Sequence, residues 1–434
     1  MENLNDDQRI AAERIQNWFF HDTIIKQVFV LSGYAGTGKT YLINFVIKNI
    51  LNLKDSDVAF VTPTGKAASV LIQRGRDAQT IHRLIYSTVE EEVKLPNSDK
   101  TIKKIKFVKK PSIKTYKLII LDEVSMVNKK VLDDLLSFNI PVLASGDSAQ
   151  LPPIFGSNGL LDHPDAQLTE IVRQSSDNAI IKIATLARNN SHIFLGNYGD
   201  VMVIDKRFIS EDKLKHLYLN ADQILCGRNE TRHMINDTVR KFKGYSGKFP
   251  KDGEKVICNV NDWSVYLDNE SKYNLVNGTI GYAYDFKENS PELNIGTMDF
   301  EPDFLPGKVK DELPVDSGLF KNNCPTYDMH QHAFVNSDGS FSLKKEYKKS
   351  CGRNLKEIMD NAAKMLETSL HAVDLVQIES FEFAYAVSVH KSQGSEWNNV
   401  VVVDESGSFG KNAYKWLYTA ITRAKKKLVI LNLS

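Results

Sequence analysis

The sequence predicts an α/β fold of at least two domains built on parallel sheets, on three observations. Short apolar runs rich in β-branched residues recur: VFVL at 28, VAFV at 58, KLIIL at 117, PVLAS at 141, DQIL at 222, NVVVV at 399 and LVIL at 428. Most are followed by a turn and a helical pattern, the alternation that builds a parallel sheet with helices on both faces. The chain has 434 residues, more than one ordinary core accommodates. Such sheets bind ligands beyond the carboxyl ends of their strands, so the loops there are where chemistry is expected.

Two stretches break the rhythm. Residues 87–116 are highly charged with short alternating segments, and they read as an inserted hairpin. Residues 285–370 scatter Pro, Gly and aromatics before the helical LKEIMDNAAKMLETSL, and they read as a β-rich insertion followed by a helix. The expected layout is a first α/β domain over 1–86 and 117–177 and a second over 178–284 and 371–434, each interrupted by its insertion. Asn277, Gly278 and Gly281 read as turn residues.

Composition excludes several classes. The 55 Lys+Arg balance 54 Asp+Glu, so a net charge of +1 offers a polyanion no global attraction and any nucleic-acid affinity must be local. Cys226, Cys258, Cys324 and Cys351 have no Cys-x-x-Cys pair among them, which argues against zinc and iron–sulfur sites and for free thiols in a reducing cytoplasm. MENLNDDQR lacks the order of a signal peptide, and KLIIL and VVVV are far below membrane-spanning length. A soluble, cytoplasmic protein is expected.

GYAGTGKT, residues 33–40, follows the first apolar run and precedes a helical pattern. Gly33, Gly36, Thr37 and Gly38 form a loop whose N–H groups cradle phosphates, Lys39 reaches the β- and γ-phosphates, and Thr40 ligates Mg²⁺. KLIILDEVSM then delivers Asp122 to the metal and Glu123 to the attacking water. A third loop, ASGDSAQLPP, presents Asp147 and Gln150, an amide able to sense the γ-phosphate. LNDDQRIAAERI reads as a helix capped by Asn5 and carrying Gln8, whose amide suits an adenine edge. Arg173 in LTEIVRQ and Arg423 in LYTAITRAKKK are the candidate arginine fingers. Each of these residues taken singly is more often a cap, a solvated turn or a surface side chain; together they describe an ATP site.

The order of these stretches resembles superfamily 1 helicases, in the branch with Dda, RecD and Pif1-like enzymes. The resemblance runs through LNDDQ, GYAGTGKT, VTPTGKAA, TIHRLI, LDEVSM, SGDSAQLPP, LTEIVRQ, SVHKSQGSEWNNVVVV and LYTAITRAKK, nearly the whole chain. Tyr34 stands where proline is common. The resemblance implies two RecA-like P-loop motor domains, a β-hairpin insertion serving as a pin and an SH3-like β insertion. It implies ATP and Mg²⁺ as cofactors and assigns Lys39, Thr40, Asp122, Glu123, Gln150, Arg173 and Arg423 the roles given above.

The same resemblance turns Gly394 and Glu396 toward the nucleotide. It turns Ser388, His390 and Lys391 toward nucleic acid, with Thr62, Pro63, Thr64, Lys66, Thr80 and His82 continuing the track as phosphate contacts that ignore sequence. Phe107, within a lysine-rich run, is the aromatic expected to meet a base at the fork. The implied activity is a helicase moving 5′ to 3′ on single-stranded DNA and acting at single-strand/duplex junctions as a monomer, with a single-strand-binding protein or recombinase as a further partner. An RNA helicase, a translocase that does not unwind and a catalytically inactive single-strand-binding scaffold are the alternatives.

Overall fold

In a computed structural model, the structure describes residues 4–94, 101–152, 158–171, 178–270, 273–290, 294–322, 333–335, 341–343 and 379–432. The first sheet has six strands, in spatial order Ala78–Thr80, Val58–Thr62, Leu118–Leu121, Val142–Gly146, Val28–Gly33 and Ala166–Leu168, and all its pairs are parallel. Its strands alternate between two cores. Leu118 and Ile120 pack with Phe29, Leu31, Leu42 and Ile47 on one face, while Ile119 and Leu121 pack with Val124, Leu132 and Leu135 on the other. Burial on both faces is why these strands read as continuous apolar runs.

A second six-stranded sheet runs Ala386–Ser388, Gln223–Cys226, Trp397–Asp404, Ala424–Asn432, Val201–Asp205 and Gly196–Asn197, parallel except for the last pair. Its carboxyl edge carries the SVHKSQGSEW loop, and the Ala413–Ile421 helix leads into the Ala424–Asn432 strand. Together, the two sheets confirm the expected α/β architecture of parallel sheets. They fall in one compact unit, Met1–Ser87, Lys109–Arg232 and Ala386–Ser434.

The other unit comprises Thr88–Val108 and His233–Tyr385. It holds an antiparallel sheet in the order Lys310–Asp316, Ile295–Pro302, Ile280–Ser290, Glu254–Cys258 and Phe381–Phe383. Glu254–Cys258 belongs to this sheet, so the insertion begins well before the expected residue 285, which lies inside a strand. Gly281 is a strand residue and not a turn. A Cβ there would come within 2.2 Å of Glu301 O, so only glycine allows the strands to approach. Gly278, with φ +89°, is the turn. The expected hairpin forms from Tyr86–Lys94 and Thr101–Lys109, while the expected helix over LKEIMDNAAKMLETSL lies outside the described residues. No helix among the described residues is long and apolar enough to cross a membrane.

Candidate ATP site and nucleic-acid track

The phosphate loop joins the Val28–Gly33 strand to the Lys39–Phe45 helix, with Gly36 at φ +82° and Gly38 at φ +80°. Glycine reaches this left-handed region without a Cβ clash. At Gly33 the constraint is space, because a Cβ would lie 2.8 Å from Thr37 Oγ1 and 3.1 Å from Lys39 Cγ. Lys39 Nζ donates to the carbonyls of Gly33 (2.6 Å) and Tyr34 (3.1 Å), and Thr37 Oγ1 donates to Tyr34 O (2.9 Å). Thr40 is half-buried on the helix that follows.

Gln8 is 1% exposed on the Asp6–Asn17 helix, which Asn5 caps as expected. Its Nε2 donates to Thr37 O (3.1 Å) and its Oε1 accepts from Asn5 N (3.3 Å), so the amide clamps the phosphate loop and both its ends are engaged within the protein.

Asp122 follows the fully buried Leu118–Leu121 strand. Its Oδ1 accepts from Ser145 Oγ (2.5 Å) and from Glu123 N (3.0 Å), which fixes the carboxylate at the strand end. Glu123 adopts φ +54°, a conformation that costs a non-glycine residue about 1 kcal/mol. Enclosure is the main cause that raises its carboxyl to about 7, with Asp122 and Asp147 adding to the rise and the charges of Arg423 and Lys39 opposing it. Two cations, one from each parallel sheet, thus act on the same carboxylate.

In the third loop Asp147 is 1% exposed, and its carboxylate accepts from Ala149 N (3.0 Å), Gln150 Nε2 (3.4 Å) and Tyr418 OH (2.8 Å). Gln150 Oε1 is buried without a hydrogen-bond partner among the described residues. Arg423 is 4% exposed, and its guanidinium donates to Thr419 O (3.0 Å), Ser395 O (3.1 Å) and Thr422 Oγ1 (3.0 Å). All three of its nitrogens are therefore bonded to the Ala413–Ile421 helix, to Thr422 just after it or to Ser395 in the SVHKSQGSEW loop. Arg173 lies outside the described residues. Gly394 (φ +75°) packs against Ala67, where an added Cβ would sit 3.3 Å from the Ala67 Cβ, and Glu396 pairs with Lys425 at 3.5 Å.

The expected track divides. Thr62 is fully buried and its hydroxyl donates to Thr64 O (2.8 Å), so it shapes the turn, and in this conformation its hydroxyl is not a surface phosphate donor. Thr64 and Thr80 cap helices, accepting from Ala67 N and Arg83 N (both 3.2 Å). Pro63 is half-buried beside them. The Lys66 ammonium lies 5.2 Å from the centre of the Trp397 ring, and Ser388 Oγ accepts from Lys391 N (3.3 Å). Burial holds His82 and His390 below the ordinary imidazole range and so favours the neutral ring. Their rings pack on Tyr86 and Phe409. Phe107 is about half exposed, at 49%.

Sequence reasoning missed Ser145, which orients Asp122, and the Lys415, Tyr418 and Thr419 face of the Ala413–Ile421 helix. Thr419 Oγ1 accepts from Leu151 N (2.9 Å) and Lys415 Nζ donates to Ser148 O (3.0 Å). The signal for that face was its spacing of three and four residues. Tyr34, which in the sequence is only a departure from proline, takes the Arg188 guanidinium 3.7 Å from its ring centre.

Two family descriptions match in chain order: an AAA domain over residues 3–205 and a UvrD-like helicase C-terminal domain over 383–431. Protein R530 of Acanthamoeba polyphaga mimivirus is 23% identical, over 98% of this chain and 99% of that one. The ATP-dependent DNA helicase Pif1 of Campylobacter jejuni is 24% identical over 91% and 86%, and the ATP-dependent DNA helicase Dda of phage T4 is 28% identical over 50% and 52%. The chain spans 36% of the length of another relative, MJ1519 of Methanocaldococcus jannaschii. With the phosphate loop, the acidic pair and Arg423 on two parallel sheets, the chain belongs to the superfamily 1B helicases, in the branch of Pif1, RecD and Dda.

Proposed function

We propose that the chain is an ATP-dependent DNA helicase that hydrolyses Mg²⁺-ATP at the phosphate loop and moves 5′ to 3′ along single-stranded DNA, opening duplex ahead of it. The observation that carries this reading is that the helix leading to Arg423 is bonded to the phosphate loop and to residues 147–151 through Tyr418 and Thr419, because hydrolysis that needs groups from both sheets is tied to their relative movement. The residues fit the nucleotide on two counts: Gly36 and Gly38 hold the loop in the left-handed turn that a phosphate loop needs, and Gln150 Oε1 is a buried acceptor without a partner among the described residues.

Lys39 exchanges the Gly33 and Tyr34 carbonyls for phosphate oxygens. Thr40 and Asp122 would hold Mg²⁺, which would supply positive charge to offset that of the phosphates. Glu123 takes a proton from the attacking water, Gln150 orients that water, and Arg423, with Arg173, meets the charge that develops. Gln8 sets the loop against which the base is placed. Gly394 and Glu396 close the nucleotide side of the SVHKSQG loop, and its Ser388, His390 and Lys391 face the strand. We read the hairpin as a pin with Phe107 against a base, and the antiparallel sheet as an SH3-like insertion.

ATP turnover with and without oligo(dT), with Lys39→Ala as the control, tests the site, and unaltered turnover in that variant would reject it. Duplexes bearing 5′ or 3′ DNA tails, beside RNA equivalents, test polarity and substrate. Unwinding confined to RNA, or translocation without unwinding, would move the reading to an RNA helicase or a simple translocase.

A further inference from the structure

The Ala413–Ile421 helix turns one face toward a short strip of backbone, with Lys415 bonded to Ser148 O and Thr419 to Leu151 N. Between them Tyr418, 2% exposed, donates to Asp147 Oδ2 (2.8 Å) and accepts from Ala35 N (2.9 Å). Burial and the Asp147 charge push the phenol well above its usual range, so it stays protonated and keeps donating. One hydroxyl therefore joins the phosphate loop to the loop that carries Gln150.

The same strip is contacted from the SVHKSQG loop. Gln393 Nε2 donates to Leu151 O (3.0 Å), two residues beyond Lys391, and Ser395 O accepts from Arg423. Residues 147–151 are thus held by the loop expected to face nucleic acid and by the helix that leads to Arg423.

We propose that Tyr418 is a positioning residue that couples nucleic-acid occupancy to ATP turnover, by linking Asp147 to the Ala35 amide. A strand on the track displaces the Gln393–Leu151 contact, and the 147–151 segment moves with it. The Tyr418 hydroxyl carries that displacement to the phosphate loop, and its helix carries it to Arg423. The coupling rests on the ATP-driven reading above.

The test measures kcat and KM for ATP with and without oligo(dT), and thermal unfolding, for wild type, Tyr418→Phe, Asp147→Asn and the double variant. Removing a hydroxyl bonded to a carboxylate is expected to lower oligo(dT)-stimulated kcat about tenfold. The ratio of stimulated to basal turnover falls with it, KM stays within about threefold, and the unfolding midpoint stays within about 2 °C. Because the two substitutions remove one contact, the double variant is no slower than the poorer single variant. A wild-type stimulation ratio in Tyr418→Phe, stimulated and basal rates falling in proportion, or additive effects in the double variant would each overturn the coupling. If Tyr418→Phe does not fold, Asp147→Asn carries the test by the same ratio. Wild type without ATP turnover would instead reject the functional reading, and the coupling with it.

Discussion

Glu123 is held near 7 by its surroundings, and this fixes how the rate should depend on pH. A general base must be ionised, and with a value of about 7 it is roughly nine-tenths ionised at pH 8 and one-tenth at pH 6. On that basis kcat/KM for ATP falls about tenfold between pH 8 and pH 6, the limb belonging to the free protein. Glu123→Gln removes the limb and lowers kcat by roughly 10² to 10⁴, the usual worth of a positioned base.

Stability should move the other way. The folded value lies above the unfolded 4.5, so this group's contribution is intact below about pH 4.5 and is lost as pH rises to about 7. The loss is at most on the order of 3 kcal/mol. Glutamine cannot ionise, so Glu123→Gln should unfold at a higher temperature than wild type at pH 8 while turning over far more slowly. Stopped-time phosphate release across pH and a thermal melt at pH 8 read both quantities. A flat pH profile in wild type, or near-wild-type turnover in Glu123→Gln, would refute the assignment of Glu123 as base.

Three further outcomes follow from the insertion and the hairpin. Arg240 and Glu254, with side chains 8% and 0% exposed, form a two-pronged ion pair at 2.9 and 3.0 Å. Arg240→Ala strands the buried carboxylate and should cost about 3 to 5 kcal/mol in a denaturant titration. Burial and contact with Asp262 raise Glu379 to about 9, so its contribution to stability declines as pH climbs from about 4.5 to about 9. Glu379→Gln should therefore lose less thermal stability than wild type between pH 6 and pH 9. Phe107→Ala should reduce duplex unwinding more than oligo(dT)-stimulated ATP turnover, and equal losses in both assays would discount a pin role.

Local chemistry was legible in the sequence wherever one segment decided the outcome. All seven apolar runs are strands, Asn5 caps its helix, and the phosphate loop and the acidic pair end their strands as expected. Strands of three residues, Ala78–Thr80, Ala166–Leu168 and Ala386–Ser388, are too short to show a period, and neighbouring strands hold them in place. EKVIC at 254 looks like any other apolar run. Its place in the antiparallel sheet is set by Ile280–Ser290 and Phe381–Phe383, one of them more than a hundred residues away. A tyrosine on an apolar helix, as Tyr418 is, reads as core in the sequence, and only the fold brings Asp147 and Ala35 to its hydroxyl.

Exchange of partners is what the two cations share. Lys39 is bonded to carbonyls of its own loop, and Arg423 to two carbonyls and a hydroxyl of its own domain, so neither reaches a phosphate from bulk water. In the proposed reaction each would trade neutral acceptors for charged oxygens, and bonds to charged groups are the stronger ones. Folding has met the desolvation of Arg423, which is 4% exposed, and part of that of Lys39, which is half-buried, so much of the gain on binding would be the difference between carbonyl and phosphate. That difference is available only where both partners can be reached at once. For Arg423 this requires movement of a helix whose Tyr418 and Thr419 are bonded to the opposite sheet's loops. Loosening those bonds while keeping Arg423 should therefore impair turnover more than ATP affinity, because Lys39 can make its exchange without the helix moving and Arg423 cannot.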